Sequence, residues 1–192
     1  HIREGIREVD ADGIVWYEPF LTFDIGADSG FGVTAPFDDP QLGFGYHSYC
    51  LPGVFAHSQG FEDLPACDVL HGIVADNAEV VRARMNATSL LSEFGASDDL
   101  ADLRLAVAEA DRLLVGWHYW HYKNWRDPTT ESQTTASQSL FTDDEDLSTL
   151  KLDKARVLIR PYPQSTAGLP LALSFDDASS VMDYRYTPRL AG

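Results

Sequence analysis

The sequence predicts an α/β fold, namely the carboxyl-terminal half of a TIM (β/α)8 barrel followed by the first strands of a β-sandwich. Strand-like and helix-like segments alternate along most of the chain, and this rhythm is typical of βα units that build a parallel sheet. Four strands of this kind make half of a (β/α)8 barrel. After Arg160 two short strands surround the turn at 176–180, which indicates a β-hairpin.

An open, doubly wound sheet is the rival fold. Such a sheet normally carries a glycine-rich phosphate-binding turn directly after a strand. Neither a GxGxxG motif nor a P-loop occurs in this sequence, and its glycines fit neither pattern. The half barrel is therefore favoured.

Each predicted strand is short, apolar and rich in β-branched or aromatic residues. The four parallel strands are expected at 13–20, 42–50, 88–94 and 114–122, and the two strands of the hairpin at 171–175 and 181–186. A polar, acidic stretch at 126–146 is interpreted as a long loop of the kind that carries function or is mobile.

Three segments have helical spacing. The first is expected over 68–85, and its apolar stripe consists of Val74, Val81 and Met85, with Val69 and Ile73 near it. The second is capped by Ser97 or Asp98 and runs to about Leu113. Its apolar positions follow the 3,4 spacing, at Leu100, Leu103, Val107, Ala110 and Leu114. A third, weakly amphipathic helix is expected over 148–159.

Composition excludes several classes of function. The 192 residues suit one domain or slightly more, and an apolar content of 44% is sufficient for a packed core. The formal net charge is −16. Such a surface repels phosphate, which argues against nucleic acid as a partner and against docking on anionic lipid head groups through a basic patch. No run of about 18 apolar residues occurs, so the sequence predicts no membrane span.

The chain is expected to contain two parts, a partial barrel over 1–158, comprising strands five to eight, and the start of a carboxyl-terminal β-sandwich over 159–192. It starts at His1 without an initiator Met or a signal peptide, and it stops at Gly192 soon after a strand-like run. Because both ends look cut, we expect a fragment of a longer protein.

The sequence has two cysteines, Cys50 and Cys67, which flank one loop rich in Pro and Gly. A disulfide between them would stabilise the fold by roughly 3 kcal/mol in the loop-entropy model. The alternative is two unrelated buried thiols, as in many cytosolic proteins. We expect the disulfide because of the shared loop. Two cysteines are too few for a zinc site of four thiolates.

Candidate catalytic side chains follow from the ends of the strands, because reactive groups in a parallel barrel lie at the carboxyl ends. The second strand ends with His47 and Tyr49, the third with Glu93, and the fourth with Trp117 and Trp120. An imidazole, a phenol, a carboxylate and an indole would then meet at one mouth. This set suits carbohydrate, although an isolated Glu at a strand end is more often a solvated or capping group.

Strand alternation refines the site. His47 and Tyr49 are two residues apart, so they point to the same side, where Tyr49 can donate its hydroxyl hydrogen to Glu93 on the neighbouring strand. A carboxylate that receives such a bond stays ionised and aimed, as the nucleophile of a glycosidase must be.

On the fourth strand, Trp120 lies two residues after His118 and points to the same side, whereas Trp117 points to the other side. His118 and His121 would suit a metal if they lay on a helix, but on a strand they face opposite sides. We therefore expect neither a bound metal nor a cofactor.

Glu18 and Pro19 imitate the Asn-Glu-Pro signature of a glycosidase acid/base, but the preceding residue is Tyr17. Only 28 residues separate Glu18 from His47, which leaves no room for the βα unit expected between an acid/base strand and a His-x-Tyr strand. Glu18 is accordingly interpreted as structural or as a lesser residue of the cleft.

Together these motifs resemble glycoside hydrolase family 5, whose retaining (β/α)8 enzymes carry Asn-Glu-Pro, His-x-Tyr, a Glu-Phe-Gly-type nucleophile and a Trp on strands four, six, seven and eight. The last three occur here in that order. The endoglycoceramidase (endoglycosylceramidase) branch, which cuts the whole glycan from ceramide, is the closer match. The segments that carry this resemblance are WYEPFLTFDIGAD (16–28), GFGYHSYCLPG (43–53), LLSEFGAS (90–97), GWHYWHYKNW (116–125) and ARVLIRPYPQSTAG (155–168), the last of which resembles the junction into that branch's β-sandwich.

The resemblance implies a role for each residue. Glu93 would be the nucleophile, Tyr49 would hydrogen-bond it and His47 would line the −1 subsite. Trp120 would form the floor for that sugar, with Trp117 as the less favoured candidate. His118, which points to the same side of the strand as Trp120, completes the expected substrate-binding set.

The resemblance also implies a secreted or extracellular retaining β-glycosidase, acting on a glycosphingolipid or oligosaccharide and touching a membrane surface transiently through that substrate. The acid/base Glu and the amino-terminal half of the barrel would precede His1, so the isolated chain is expected to be inactive. Two alternatives stay open. One is a cellulase-like or glucosylceramide-cleaving family 5 hydrolase, and the other is a non-catalytic module that binds sugar or lipid.

Overall fold

A four-stranded parallel sheet forms the centre of the fold in the computed structural model, which describes residues 2–19, 23, 38–50, 67–123 and 138–189, with the backbone alone at 68. The strands are β1 (Val15–Tyr17), β2 (Leu42–Ser48), β3 (Thr88–Gly95) and β4 (Gly116–Trp120), and they lie side by side in chain order. All three pairings are parallel. The parallel sheet predicted from the βα rhythm is therefore confirmed.

The remaining described elements are four α-helices, one 3-10 helix and a hairpin. They are α1 (Ile2–Val9), α2 (Cys67–Met85), α3 (Leu100–Leu113), the 3-10 helix (Leu147–Thr149), α4 (Leu152–Leu158), β5 (Gly168–Asp176) and β6 (Val181–Pro188). Sequence reasoning missed α1, and it joined the 3-10 helix and α4 into one helix over 148–159.

The outer strands are shorter than predicted. Gly13 precedes β1 in a turn, where its N–H donates to Asp10 Oδ1 at 2.8 Å, and Pro19 beyond β1 has no N–H to give to a ladder. At β4, Leu114 adopts φ 56 and caps α3, since its N–H donates to the carbonyls at the end of that helix. The sequence had predicted Leu114 both at the start of the fourth strand and in the buried stripe of the helix. It belongs to neither.

The amino-terminal cap of α3 is Asp99 rather than Ser97 or Asp98. The Asp99 carboxylate accepts from the N–H of Ala101 at 2.8 Å, whereas Asp98 pairs with Lys151 at 2.8 Å. A side-chain acceptor at this position satisfies amides that have no partner within the helix.

The core lies between one face of the sheet and the helices α2 and α3. The strands contribute Phe44, Tyr46, Leu91 and Phe94, each at most 2% exposed. The predicted stripes of both helices, apart from Leu100 and Leu114, are buried against them. Burial of one side chain of this size contributes roughly 1.5–3 kcal/mol.

Val69 and Ile73 do not lie near the buried stripe of α2, because they are 60% and 42% exposed. Ile73 is one residue from Val74, which rotates its side chain by about 100° around the helix axis. That rotation is enough to turn Ile73 away from the sheet.

The hairpin of β5 and β6 is antiparallel and packs against α3. Arg104 on α3 binds Asp177 in the hairpin turn at 2.8 Å. Arg160, which pairs with Asp111 on α3, also lies over the ring of Phe175 at 5.0 Å from its centroid. Over the described ranges, none of the helices has the length and apolar character needed to cross a bilayer.

Candidate active site

The sheet has a second face, opposite to α2 and α3, which we call the cleft face. Side chains alternate along a strand, so residues between the buried core positions point to this face. Glu18, which follows β1, and His47 on β2 are linked across it, with 3.7 Å between Glu18 Oε2 and His47 Nε2.

A β-bulge on β3 brings Glu93 to the cleft face. The register pairs Tyr46 with Leu91 but then pairs His47 with Glu93, so β3 carries one extra residue at this point. Leu91 and Phe94 are both buried against the helices, although they are three residues apart. Regular alternation would turn Glu93 toward the core, and the bulge re-aims it.

Glu93 has two partners on β2 and just beyond it. Tyr49 donates its hydroxyl hydrogen to Glu93 Oε2 at 2.8 Å. His47 Nδ1 lies 3.6 Å from the same oxygen, and the side chains of His47 and Glu93 are 25% and 31% exposed. The structure thus brings these three predicted site residues together at a surface that a ligand can reach.

Glu18 belongs to the same cluster, which agrees with the second of its two interpretations from sequence, a lesser residue of the cleft. A Cβ at Gly45 would lie 2.9 Å from Glu18 Oε1, so the glycine leaves room for the Glu18 side chain to lie across β2. His47 thereby stands between two carboxylates. The signal in the sequence is the absence of a side chain at Gly45, two residues before His47 on the same strand face.

Trp117 lies on the helix side of the sheet, opposite to the cleft face. Its ring packs edge-on against Phe94 at 5.3 Å, and Tyr119 does the same at 5.7 Å, both on the helix side of the sheet. This position does not support the prediction of Trp117 as a substrate-binding residue, whereas alternation leaves His118 and Trp120 on the cleft face.

Trp120 stands on β4 directly beside the end of β3. It pairs in register with Gly95, and its carbonyl accepts from the N–H of Ala96 at 2.8 Å. The peptide bond from Trp120 to His121 is cis. Gly95 adopts φ +106, and a Cβ there would overlap the ring of Tyr119, so this corner requires glycine.

The carboxyl end of β2 is tied to α2 and α3 beneath the cluster. Cys50 and Cys67 form a disulfide, with Cα atoms 5.3 Å apart. Ser48 Oγ lies 2.6 Å from His71 Nδ1 on α2, and His71 Nε2 lies 2.8 Å from Asp102 Oδ1 on α3. We call the latter three residues the His71 network. Sequence reasoning missed it, because its members are dispersed along the chain.

A second buried group supports the end of β4. Lys154 on α4 donates to the Tyr119 hydroxyl at 3.1 Å and to the Ser139 carbonyl at 3.3 Å, and it pairs with Asp98. Burial lowers the pKa of the Lys154 amine to about 8, against the opposing effect of Asp98. Burial also raises the pKa of the Tyr119 hydroxyl.

Within the part of the chain that the structure describes, one cluster has the side-chain atoms to hold a metal ion, namely Cys50, Cys67 and Asp102. Its two sulfurs are joined in the disulfide. Sulfur in a disulfide is not the thiolate that binds metals.

The fold is that of half of a (β/α)8 barrel, and family 5 glycoside hydrolases are among the solved structures that share it. A family 5 broad-specificity endoglucanase from Clostridium longisporum superposes with a TM-score of 0.57 and 14% identity, over 81% of this chain and 46% of its own. Cellulose synthase subunit Z from Clostridioides difficile gives a TM-score of 0.57 and 16% identity, over 83% and 54%. The predicted fold class is confirmed.

Within that class the chain resembles the endoglycoceramidases. It is 28% identical over 197 aligned residues to Endoglycoceramidase I from Rhodococcus hoagii (strain 103S), which is 99% of this chain and 36% of that protein. A solved structure of endo-glycoceramidase II from Rhodococcus sp., in complex with ganglioside GM3, superposes with a TM-score of 0.66 and 21% identity, over 89% of this chain and 36% of the other. The chain thus spans little more than a third of these relatives. No family model matches it.

Proposed function

We propose that the chain is the carboxyl-terminal half of the barrel of a retaining β-glycosidase, with Glu93 as its nucleophile. The observation that carries this proposal is the hydrogen bond from Tyr49 to Glu93 at 2.8 Å, at the carboxyl end of a strand in a parallel sheet. A bond donated to one carboxylate oxygen fixes the orientation of the group and leaves the other oxygen to attack. A nucleophile needs that aim, because effective attack depends on near-ideal geometry.

The reaction follows from this assignment. Glu93 attacks the anomeric carbon while a second carboxyl group, about 5–5.5 Å away, protonates the leaving oxygen; water then hydrolyses the glycosyl-enzyme with the second group acting as base. We propose that this second group comes from a segment outside the chain. Glu18 is a poorer candidate. It directly follows β1, the strand that pairs with the strand of His47, and it already contacts the His47 imidazole.

The proposed substrate is a glycosphingolipid cut between oligosaccharide and ceramide. Support comes from the two endoglycoceramidases that the chain resembles, one of which was solved with a ganglioside. His47, His118 and Trp120 would contact the −1 sugar, with the indole of Trp120 as its floor. The disulfide of Cys50 and Cys67 supports the further proposal of a secreted or extracellular enzyme, since such bonds persist in oxidising environments.

The domain division is also a proposal, with 1–158 as partial barrel and 159–192 as the start of a β-sandwich. Within the described sheet, β1 and β4 are the outer strands, and each pairs on one side. This is the arrangement that the other half of a barrel would complete. The change from parallel to antiparallel pairing at β5 supports a boundary near 159.

A fluorescent ganglioside tests the proposal in the longer protein that it requires. We expect release of free ceramide, a loss of more than about 1,000-fold in kcat for Glu93→Gln, and a smaller loss for Tyr49→Phe, because the nucleophile bonds to the sugar and Tyr49 only aims it. The 192-residue chain alone should give no turnover.

Two results would contradict the proposal. Turnover that survives Glu93→Gln would remove the nucleophile assignment. Hydrolysis of β-glucan without any release of ceramide would favour the cellulase-like alternative instead.

A further inference from the structure

The His71 network is buried and joins three elements. Ser48, His71 and Asp102 are 4%, 2% and 6% exposed. They belong to the carboxyl end of β2, to α2 and to the first turn of α3. Each nitrogen of the His71 ring lies within hydrogen-bond distance of one partner, Nδ1 of the Ser48 hydroxyl and Nε2 of the Asp102 carboxylate. Each polar group that the network uses is thereby paired, which buried polar groups require.

The residue types are those of a serine hydrolase triad, but the geometry is different. In such a triad Nε2 faces the serine and Nδ1–H faces the carboxylate. Here the imidazole is reversed, with Nδ1 toward Ser48 and Nε2 toward Asp102. Ser48 is also enclosed on the helix side of the sheet, where a substrate has no access. The network therefore holds structure and does not act as a nucleophile.

We infer that the His71 network is a positioning device, which fixes the rotation of the end of β2 and so aims Tyr49 at Glu93. Ser48 lies between His47 and Tyr49, and strand alternation sends Ser48 to the helix side and its two neighbours to the cleft face. Any rotation of Ser48 about the strand axis would swing both neighbours. The catalytic meaning of this inference rests on the proposed function.

A disulfide also joins the segment that directly follows β2 to the start of α2. Cys50 lies two residues after Ser48, and Cys67 begins α2 four residues before His71. The two sulfurs and an Asp102 oxygen lie within 4.8 Å of one another. The disulfide limits how far these two segments can separate, and the hydrogen bond to Ser48 adds a directional constraint one residue before Tyr49.

Tyrosine side-chain NMR on the 192-residue chain reports directly on the hydrogen bond from Tyr49 to Glu93. With 13C-labelled tyrosine, Tyr49→Phe identifies the Cζ resonance of Tyr49 by removing it, and Glu93→Ala gives its position without the acceptor. We expect Ser48→Ala and Asp102→Ala to move that resonance at least half of the way to the Glu93→Ala position. Ser48→Thr, which keeps the hydroxyl, should leave it near its wild-type position.

Val81→Ala is the matched control, because Val81 is buried on α2 at 3% exposure and lies far along the helix from His71. It should lower stability without moving the Tyr49 resonance. An unmoved resonance in folded Ser48→Ala and Asp102→Ala would overturn the inference, and so would an equal shift in Val81→Ala.

Kinetics on the longer enzyme give a second measurement. Ser48→Ala should lower kcat about tenfold with KM within about twofold, since misplacement of a catalytic group by about 1 Å can cost 100-fold. Val81→Ala should leave both constants unchanged. If the wild-type protein hydrolyses no glycosphingolipid, the proposed function fails, and the NMR comparison still decides whether the network aims Tyr49.

Discussion

The two faces of the parallel sheet are built by the same strands and have opposite characters. On the helix side, Phe44, Leu91 and Phe94 are at most 2% exposed. On the cleft face, the side chains of Glu18 and Glu93 are 47% and 31% exposed and are linked through His47. The comparison teaches that one face supplies the stability that lets the other hold two carboxylates close to one imidazole, an arrangement that contributes little stability itself.

The largest expected effect tests this division of roles. Phe44→Ala should lower the free energy of unfolding by about 3–5 kcal/mol, because it removes a fully buried aromatic ring and leaves a cavity. On the cleft face, His118→Ala should change it by no more than about 0.5 kcal/mol. Urea unfolding of both variants measures the difference, and equal losses would break the comparison.

The disulfide should give the next largest effect, because it lies on the helix side at the point where β2 ends. The double variant Cys50→Ala, Cys67→Ala should lose roughly 3 kcal/mol in the loop-entropy model. Urea unfolding under oxidising conditions measures this loss. Under reducing conditions the wild-type chain and the double variant should converge, and a persistent difference would show that packing at the two sites matters more than the bond.

Lys154 shows how charge behaves on the buried side. The amine of the unfolded chain holds its proton up to its ordinary pKa of 10.5, whereas burial lowers the pKa in the folded protein to about 8. Between these values the unfolded state binds the proton that the folded state has released, so the free energy of unfolding rises with pH. The free energy of unfolding of the wild-type chain, relative to that of Lys154→Met, should rise by up to roughly 3 kcal/mol from pH 8 to 10.5.

Urea unfolding across that pH range provides the measurement, and the difference between the two proteins cancels groups that titrate in both. Lys151→Met is the control, since Lys151 pairs with the same Asp98 but is more exposed. The Lys151→Met variant should keep most of the rise in the free energy of unfolding with pH. A flat difference between the wild-type chain and Lys154→Met would contradict the lowered pKa.

The smallest expected effect is on the cleft face. Glu18→Gln should change the free energy of unfolding by less than about 1 kcal/mol, because contacts between exposed charged groups contribute little. In the longer enzyme that we propose, the same variant should lower kcat less than Glu93→Gln does, since Glu18 faces the imidazole beside the proposed nucleophile. A stability loss as large as that of Phe44→Ala would mean that the cleft face is structural after all.

The sequence predicted the sheet well because its signals are local. Short apolar runs separated by helical stripes indicated four parallel strands, and the residues after them indicated where His47, Tyr49 and Glu93 would meet. The alternation of side chains along a strand also placed Trp117 and Trp120 on opposite faces of the sheet. The packing of Trp117 against Phe94 agrees with this separation and favours Trp120 as the substrate-binding candidate.

Contacts between distant residues could not be predicted in the same way. His71 and Asp102 are 31 residues apart, and Lys154 and Tyr119 are 35 apart. Each looks ordinary in its own segment, as one polar residue on a helix or, for Tyr119, on a strand. Only packing of α2, α3 and α4 against the sheet brings them into pairs, because a buried polar group selects its partner from whatever the fold places beside it.

By itself, the sequence determined the strand and helix order, the parallel sheet and the residue types at the carboxyl ends of the strands, because periodicity and breakers act within a few residues. Tertiary structure alone decided that β3 bulges at Ser92 and Glu93, that Glu18 lies across Gly45, and that Ser48 reaches Asp102 through His71. The physical reason is register. A strand's own alternation points Glu93 at the core, and only pairing with its neighbours on both sides turns that carboxylate toward Tyr49.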